Sequence, residues 1–140
     1  MTEGTRIARF LFFAVVAAGF LFRPPAARAD GANMNLSPAQ AREMIGRHAG
    51  EADFVILDVR TPGEFRSERI DGAVLVDYNS GNFRSELRAL DREKTYLVYC
   101  RTGNRSGGAV RAMKEEGFRN VYHLDGGIVN WKEAGFPVRN

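Results

Sequence analysis

Cys100 is the single cysteine of this 140-residue chain. It closes the apolar run Tyr96-Leu97-Val98-Tyr99 and opens the stretch Arg101-Thr102-Gly103-Asn104-Arg105-Ser106-Gly107-Gly108. An apolar β-rich run, a short loop with glycines and arginines, and then Ala109 to Gly117 at helical spacing read as strand, loop and helix. Successive backbone N–H groups of such a loop converge on one point, and the helix adds its unpaired N–H groups and positive dipole end. A sulfur held there is favoured as thiolate, the nucleophilic form. The other roles open to an unpaired cysteine are a buried small hydrophobe and an intermolecular link. A packing residue has no need of two arginines and a glycine turn beside it, so the loop argues for a reactive thiol.

The neighbouring residues fit an anion-binding loop. Arg101 and Arg105 are candidate ligands for anionic oxygens because a guanidinium offers paired donors; the alternative for each is a surface position or a pair with Glu115 or Glu116. Gly103 is expected in a backbone conformation that side chains avoid, and Ser106 is expected to cap the helix. Thr102 and Asn104 complete the loop as substrate-binding candidates. Asp58 and Arg60 read as a structural pair that braces it, and Phe65 and Trp131 as core. His48 and His123 have neither metal-ligand spacing nor a cysteine partner, so both read as solvent-facing or hydrogen-bonded, and no metal site is expected.

The elements that must position these residues alternate. Asp30 to Asn35 reads as a linker, and Ser37-Pro38-Ala39-Gln40 as a capping box that starts a helix to about Arg47. Phe54-Val55-Ile56-Leu57 suits a strand buried on both faces, ending at Asp58-Val59-Arg60. Thr61-Pro62-Gly63-Glu64 repeats the capping-box pattern for a short helix to about Glu68. Asp71-Gly72 is a turn, Ala73 to Val76 a short strand, and Phe83 to Leu90 an amphipathic helical segment with Leu87 and Leu90 on one face. Val121 to Leu124 is the last strand, and Asp125-Gly126-Gly127 turns into a helix that carries Trp131 and ends at Gly135. Strands alternating with helices predict an α/β domain with a mainly parallel sheet, whose sites lie beyond the carboxyl ends of the strands.

Residues 1–29 read as an export signal: Arg6 and Arg9 form the positive start, Phe10 to Phe22 the apolar stretch, and Ala27-Arg28-Ala29 the small-x-small cleavage pattern. The stretch is shorter than the roughly 20 apolar residues of a membrane helix; an uncleaved anchor from near Ile7 is the alternative. Cleavage after Ala29 removes the whole formal charge of +3, so the basic balance belongs to targeting. A near-neutral remainder gives no reason to expect a nucleic acid partner, or a membrane partner after cleavage, and the expected location is periplasmic or secreted.

Asp58-Val59-Arg60, Glu64-Phe65, Ile70-Asp71-Gly72-Ala73, the loop Cys100 to Ser106, and Gly126-Gly127 with Trp131, Gly135 and Pro137 together resemble the rhodanese (thiosulfate sulfurtransferase) domain, single-domain and exported type, over residues 36–138. The resemblance implies a central five-stranded parallel sheet with helices on both faces, and an active loop from Cys100 to Arg105. It implies that Cys100 takes a sulfane sulfur from a donor such as thiosulfate, holds it as a persulfide, and passes it to cyanide or a thiol acceptor without a metal or organic cofactor. Glu68-Arg69-Ile70 departs from the family's Gly-His-Ile, which bears on local packing rather than on the loop.

Two other functions remain open on sequence. A cysteine phosphatase or arsenate reductase uses Cys-x5-Arg, whereas this chain has Cys-x4-Arg, with Ser106 where the longer pattern would end and Tyr99 before the nucleophile. A persulfide carrier would deliver its sulfur to a protein partner instead of a small acceptor.

Overall fold

A computed structural model of the protein describes residues 34–140; the export segment at residues 1–29 lies outside them. In chain order the elements are β1 (Met34–Leu36), α1 (Pro38–Arg47), β2 (Phe54–Asp58), α2 (Pro62–Ser67), β3 (Val74–Leu75), α3 (Phe83–Ala89), β4 (Thr95–Tyr99), α4 (Asn104–Glu115), β5 (Asn120–Leu124) and α5 (Gly127–Glu133). The strands form one five-stranded sheet in the order β1-β5-β4-β2-β3, and every pairing is parallel. Helix-containing crossovers are what let consecutive strands run the same way.

Strand alternation divides the core in two. Along β4, Tyr96, Val98 and the following Cys100 pack with Phe83 and Leu87 of α3 and Ala109, Val110 and Met113 of α4. Leu97 and Tyr99 face the other side, with Ala41 and Met44 of α1 and Ile128 and Trp131 of α5. A strand buried on both faces reads as an unbroken apolar run for this reason. Trp131 is buried, and its indole N–H donates to the Pro137 carbonyl at 2.9 Å, which satisfies the one polar atom of the ring.

Both capping boxes form. Gln40 N–H donates to Ser37 Oγ at 3.3 Å while Ser37 N–H donates to the Gln40 side chain at 2.9 Å, and Thr61 and Glu64 repeat the exchange at 3.3 and 3.1 Å.

Three expectations change. Met34 and Asn35 are not linker; with Leu36 they form an edge strand in register with Tyr122, His123 and Leu124 of β5. So short a strand is defined by its neighbour rather than by its own propensity. The α4 helix begins at Asn104 rather than near Ala109, which puts Gly107 and Gly108 inside it. Gly108 is needed there because a Cβ would overlap the Tyr78 hydroxyl and ring. Phe65 is only half-buried, and α2 has no buried residue; the Arg69 guanidinium lies 4.9 Å over the Phe65 ring.

Candidate active site

Parallel β2 and β4 lie side by side with Asp58 opposite Tyr99, so both chain segments leave the sheet at the same edge. At that edge Gly103 has φ of +109°, the left-handed conformation expected of it, and precedes the first residue of α4. The turn folds the loop back over Cys100. Gly103 N–H donates to Cys100 Sγ at 3.0 Å, and Ser106 Oγ lies 3.2 Å from the same sulfur.

Cys100 is 1% exposed, so its sulfur is both a core atom and the floor of a polar cradle. Burial pushes the thiol up. Hydrogen bonds from the Ser106 hydroxyl and from the backbone N–H groups of Ser106, Gly103 and Thr102 more than offset it, and the thiol sits below its ordinary value. The hydrogen-bond donors to the sulfur are the loop amides and a serine, while Arg105 acts on Cys100 through its charge.

Ser106 does not cap α4. That helix has no side-chain cap, and the Ser106 hydroxyl instead sits among Cys100 Sγ, the Gly103 carbonyl at 3.2 Å and His123 Nε2 at 2.7 Å. His123 arrives from β5, and its Nδ1 lies 3.0 Å from Asn35 Oδ1 on β1. Sequence reasoning left both residues out of the site. His123 reaches Ser106 because β5 lies beside β4, and Asn35 reaches His123 because β1 pairs with β5; a two-residue-period pattern does not reveal which neighbour a strand will have.

Arg105 is not paired with Glu115 or Glu116. Its guanidinium binds Glu64 of α2 through two hydrogen bonds of 2.8 Å each, and those on Glu64 hold the carboxyl well below the usual range, at about 2, against the opposing effect of burial. Glu115 and Glu116 pair instead with Arg84 and Arg88 of α3. Arg101 is exposed, and its side chain has no ion pair among the described residues. It forms one wall of a cleft of about 430 Å³ between α2 and α5, with Gly63, Glu64, Ile128, Val129 and Lys132. Asn104 and Thr102 are exposed on the loop, and neither side chain is hydrogen-bonded among the described residues.

The loop is held from below and from one side. Arg60 clamps the buried Asp58 carboxylate with Nε at 3.0 and 3.1 Å and a terminal nitrogen at 2.7 Å, and reaches the Glu68 carbonyl. Tyr99 Oη donates to Asp58 at 2.6 Å and accepts from Ile70 N–H at 3.1 Å, so the residue before Cys100 is fixed by the same pair. The stretch Glu68-Arg69-Ile70 is therefore occupied by contacts of its own, including a two-bond bridge from Arg69 to Arg139 with N–H to carbonyl distances of 2.7 Å. From the side, the first amides of α5 hold the loop carbonyls: Ile128 N–H donates to Cys100 O at 2.9 Å and Val129 N–H to Arg101 O at 3.1 Å.

Residues 37–134 match the family model of the rhodanese-like domain. Over 84 residues, 60% of this chain, the sequence is 42% identical to the "probable adenylyltransferase/sulfurtransferase MoeZ" of Mycobacterium tuberculosis, of which the match spans 21%. The fold is similar to that of a rhodanese-related protein from Thermoplasma volcanium, with TM-score 0.65 and 31% identity over 76% of this chain and 97% of that one. It is also similar to a thiosulfate sulfurtransferase from Pseudomonas aeruginosa, with TM-score 0.62 and 25% identity over 79% of this chain and 20% of that one. The chain thus spans about a fifth of the length of MoeZ and of the Pseudomonas enzyme. The matched residues run from the first capping box through the Cys100 loop and into α5, the same segments that build the cradle, and on that match the chain belongs to the rhodanese-like domain family.

Proposed function

We propose that the protein is a sulfurtransferase that carries a sulfane sulfur on Cys100 as a persulfide, from a donor such as thiosulfate to a thiol or cyanide. The observation that carries this reading is the polar cradle around a single buried sulfur, with Gly103 N–H at 3.0 Å and Ser106 Oγ at 3.2 Å. In the first step the Cys100 thiolate attacks the outer sulfur of thiosulfate, the sulfur–sulfur bond of the donor breaks, and sulfite leaves with the electron pair. The product is a persulfide anion, and the amides that lower the thiol are placed to hold that charge as well. In the second step the acceptor attacks the outer sulfur of the persulfide. The bond to Sγ breaks, and its electron pair returns to Cys100 as thiolate. Two displacements restore the starting state without a redox partner or cofactor.

Arg101 is the guanidinium we assign to the sulfonate end of the donor. It stands exposed beside the cleft, whereas Arg105 already spends its paired donors on Glu64. The export reading of residues 1–29 places the activity outside the cytoplasm; recovery of mature protein beginning at Asp30 from the cell envelope would support it, and recovery in membranes with the N-terminus retained would contradict it.

The test is a steady-state assay with thiosulfate and cyanide, run beside one with an aryl phosphate. Turnover that falls to background in Cys100→Ser is expected. Efficient phosphate ester hydrolysis without thiosulfate turnover would replace this reading with the phosphatase one.

A further inference from the structure

Ser106 Oγ carries one hydrogen, and three acceptors stand within reach of it: Cys100 Sγ at 3.2 Å, the Gly103 carbonyl at 3.2 Å and His123 Nε2 at 2.7 Å. The Gly103 carbonyl already accepts from Gly107 N–H at 2.9 Å. A hydroxyl donates once, so the sulfur and the imidazole compete for that hydrogen.

The imidazole is itself oriented. Its Nδ1 lies 3.0 Å from Asn35 Oδ1, and a carboxamide oxygen only accepts, so Nδ1 carries a hydrogen. In the neutral ring Nε2 is then bare and takes the hydrogen of Ser106. In the protonated ring Nε2–H donates to Ser106 Oγ instead, and the serine hydrogen turns to the sulfur. One set of heavy-atom positions supports both arrangements.

We propose that His123, held by Asn35, is a positioning residue that allots the Ser106 hydrogen between itself and the sulfur of Cys100, so that imidazolium and sulfur anion stabilise each other. The proposal deepens the persulfide reading of Cys100 and rests on it. When the thiol ionises within this chain of groups, its proton passes to Ser106 Oγ as the serine's own proton passes to His123 Nε2. One S–H bond breaks, one N–H bond forms, and no other reactant is required. In the second displacement the electron pair returning to Sγ meets the same hydroxyl hydrogen. Burial disfavours the charged ring, while Asp125, just beyond β5, and a hydrogen bond to the Gly103 backbone favour it. The groups that bear on the ring's charge are thus Asp125 on its own strand's turn, the Gly103 carbonyl at the start of α4 and, through Ser106, Cys100 from the end of β4.

The test titrates the thiol by its alkylation rate with iodoacetamide across pH, with no sulfur donor present. His123→Gln offers an uncharged N–H that donates to Ser106 Oγ, as the protonated ring would, when its carboxamide nitrogen faces the serine, and His123→Phe fills the space without a polar atom. The thiol pKa of the Gln variant is expected about one pH unit below that of the Phe variant, a tenfold difference in thiolate at a pH below both values. That difference is expected to vanish when both are built on Ser106→Ala. Equal values with Ser106 present, or a difference that survives Ser106→Ala, would overturn the proposal. The unsubstituted protein gives a second reading that does not depend on the variants folding: nitrogen-15 NMR of the neutral ring should show hydrogen on Nδ1 and a bare Nε2, and the opposite tautomer would contradict the allotment. Persulfide loading is measured separately. The expected alkylation pattern without loading removes the sulfur-transfer reading, whereas loading without the pattern removes only the role of His123.

Discussion

Cys100 is subject to two opposed effects, burial raising its thiol and hydrogen bonding from the loop amides and Ser106 lowering it, and the hydrogen bonding prevails. The arginines around it divide their work. Arg101→Ala should raise the KM for thiosulfate about tenfold, the worth of one charge-assisted hydrogen bond, with little change in melting temperature; an unchanged KM would take the sulfonate away from Arg101. Arg105 is held by Glu64, and that pair contributes to stability. Glu64 is held at about 2 against an ordinary 4.5, first by the hydrogen bonds from Arg105. Between those two values the unfolded chain binds a proton that the folded chain refuses, so this contribution is complete above about pH 4.5 and is lost as pH falls through about 2. Glu64→Gln should therefore flatten the fall in melting temperature from pH 5 to pH 2, and an identical acid limb in both proteins would contradict the pairing. The loop around Cys100, its glycine turn and the Asp58-Arg60 brace were legible because each is set by neighbours a few residues away. The Arg105–Glu64 pair spans 41 positions and the Ser106–His123 contact spans 17, and no local pattern carries either.

At the scale of elements, the loop is held between the start of α4 and the start of α5. The close approach of α5 depends on Gly127, whose φ is +63° and whose Cβ, if present, would stand 2.5 Å from the carbonyl oxygens of Cys100 and Arg101. Gly127→Ala should cost at least about 2 kcal/mol through left-handed strain and backbone overlap. In a domain of this size that corresponds to a fall in melting temperature of about 10 °C. Sulfur transfer should fall with it, because the same carbonyls that would be displaced fix the loop; full stability and activity in this variant would show that α5 does not set the loop's position. The capping boxes at Ser37 and Thr61 announced the starts of α1 and α2 correctly, since the motif is complete within four residues. The start of α4 was misplaced for an opposite reason. Gly107 and Gly108 look like loop residues by type, but Gly108 is a helical glycine demanded by Tyr78, which packs against it from 30 positions away.

At the scale of the whole molecule, the sheet order β1-β5-β4-β2-β3 sets β2 and β4 side by side, so that one edge holds both the brace from β2 and Cys100 at the end of β4. The continuous apolar runs of β2 and β4 made the parallel α/β architecture legible, since only strands covered on both faces need them. β1 was invisible because its three residues acquire strand character only from β5, and with it went the Asn35 end of the hydrogen-bond chain. The central claim is that this edge loads one sulfur atom onto Cys100. It is tested most directly by the intact mass of the protein after incubation with thiosulfate and removal of excess donor. The account predicts a gain of one sulfur atom per chain, absent in Cys100→Ser and reversed by cyanide with release of thiocyanate; an unchanged mass, or an equal gain in Cys100→Ser, would contradict it.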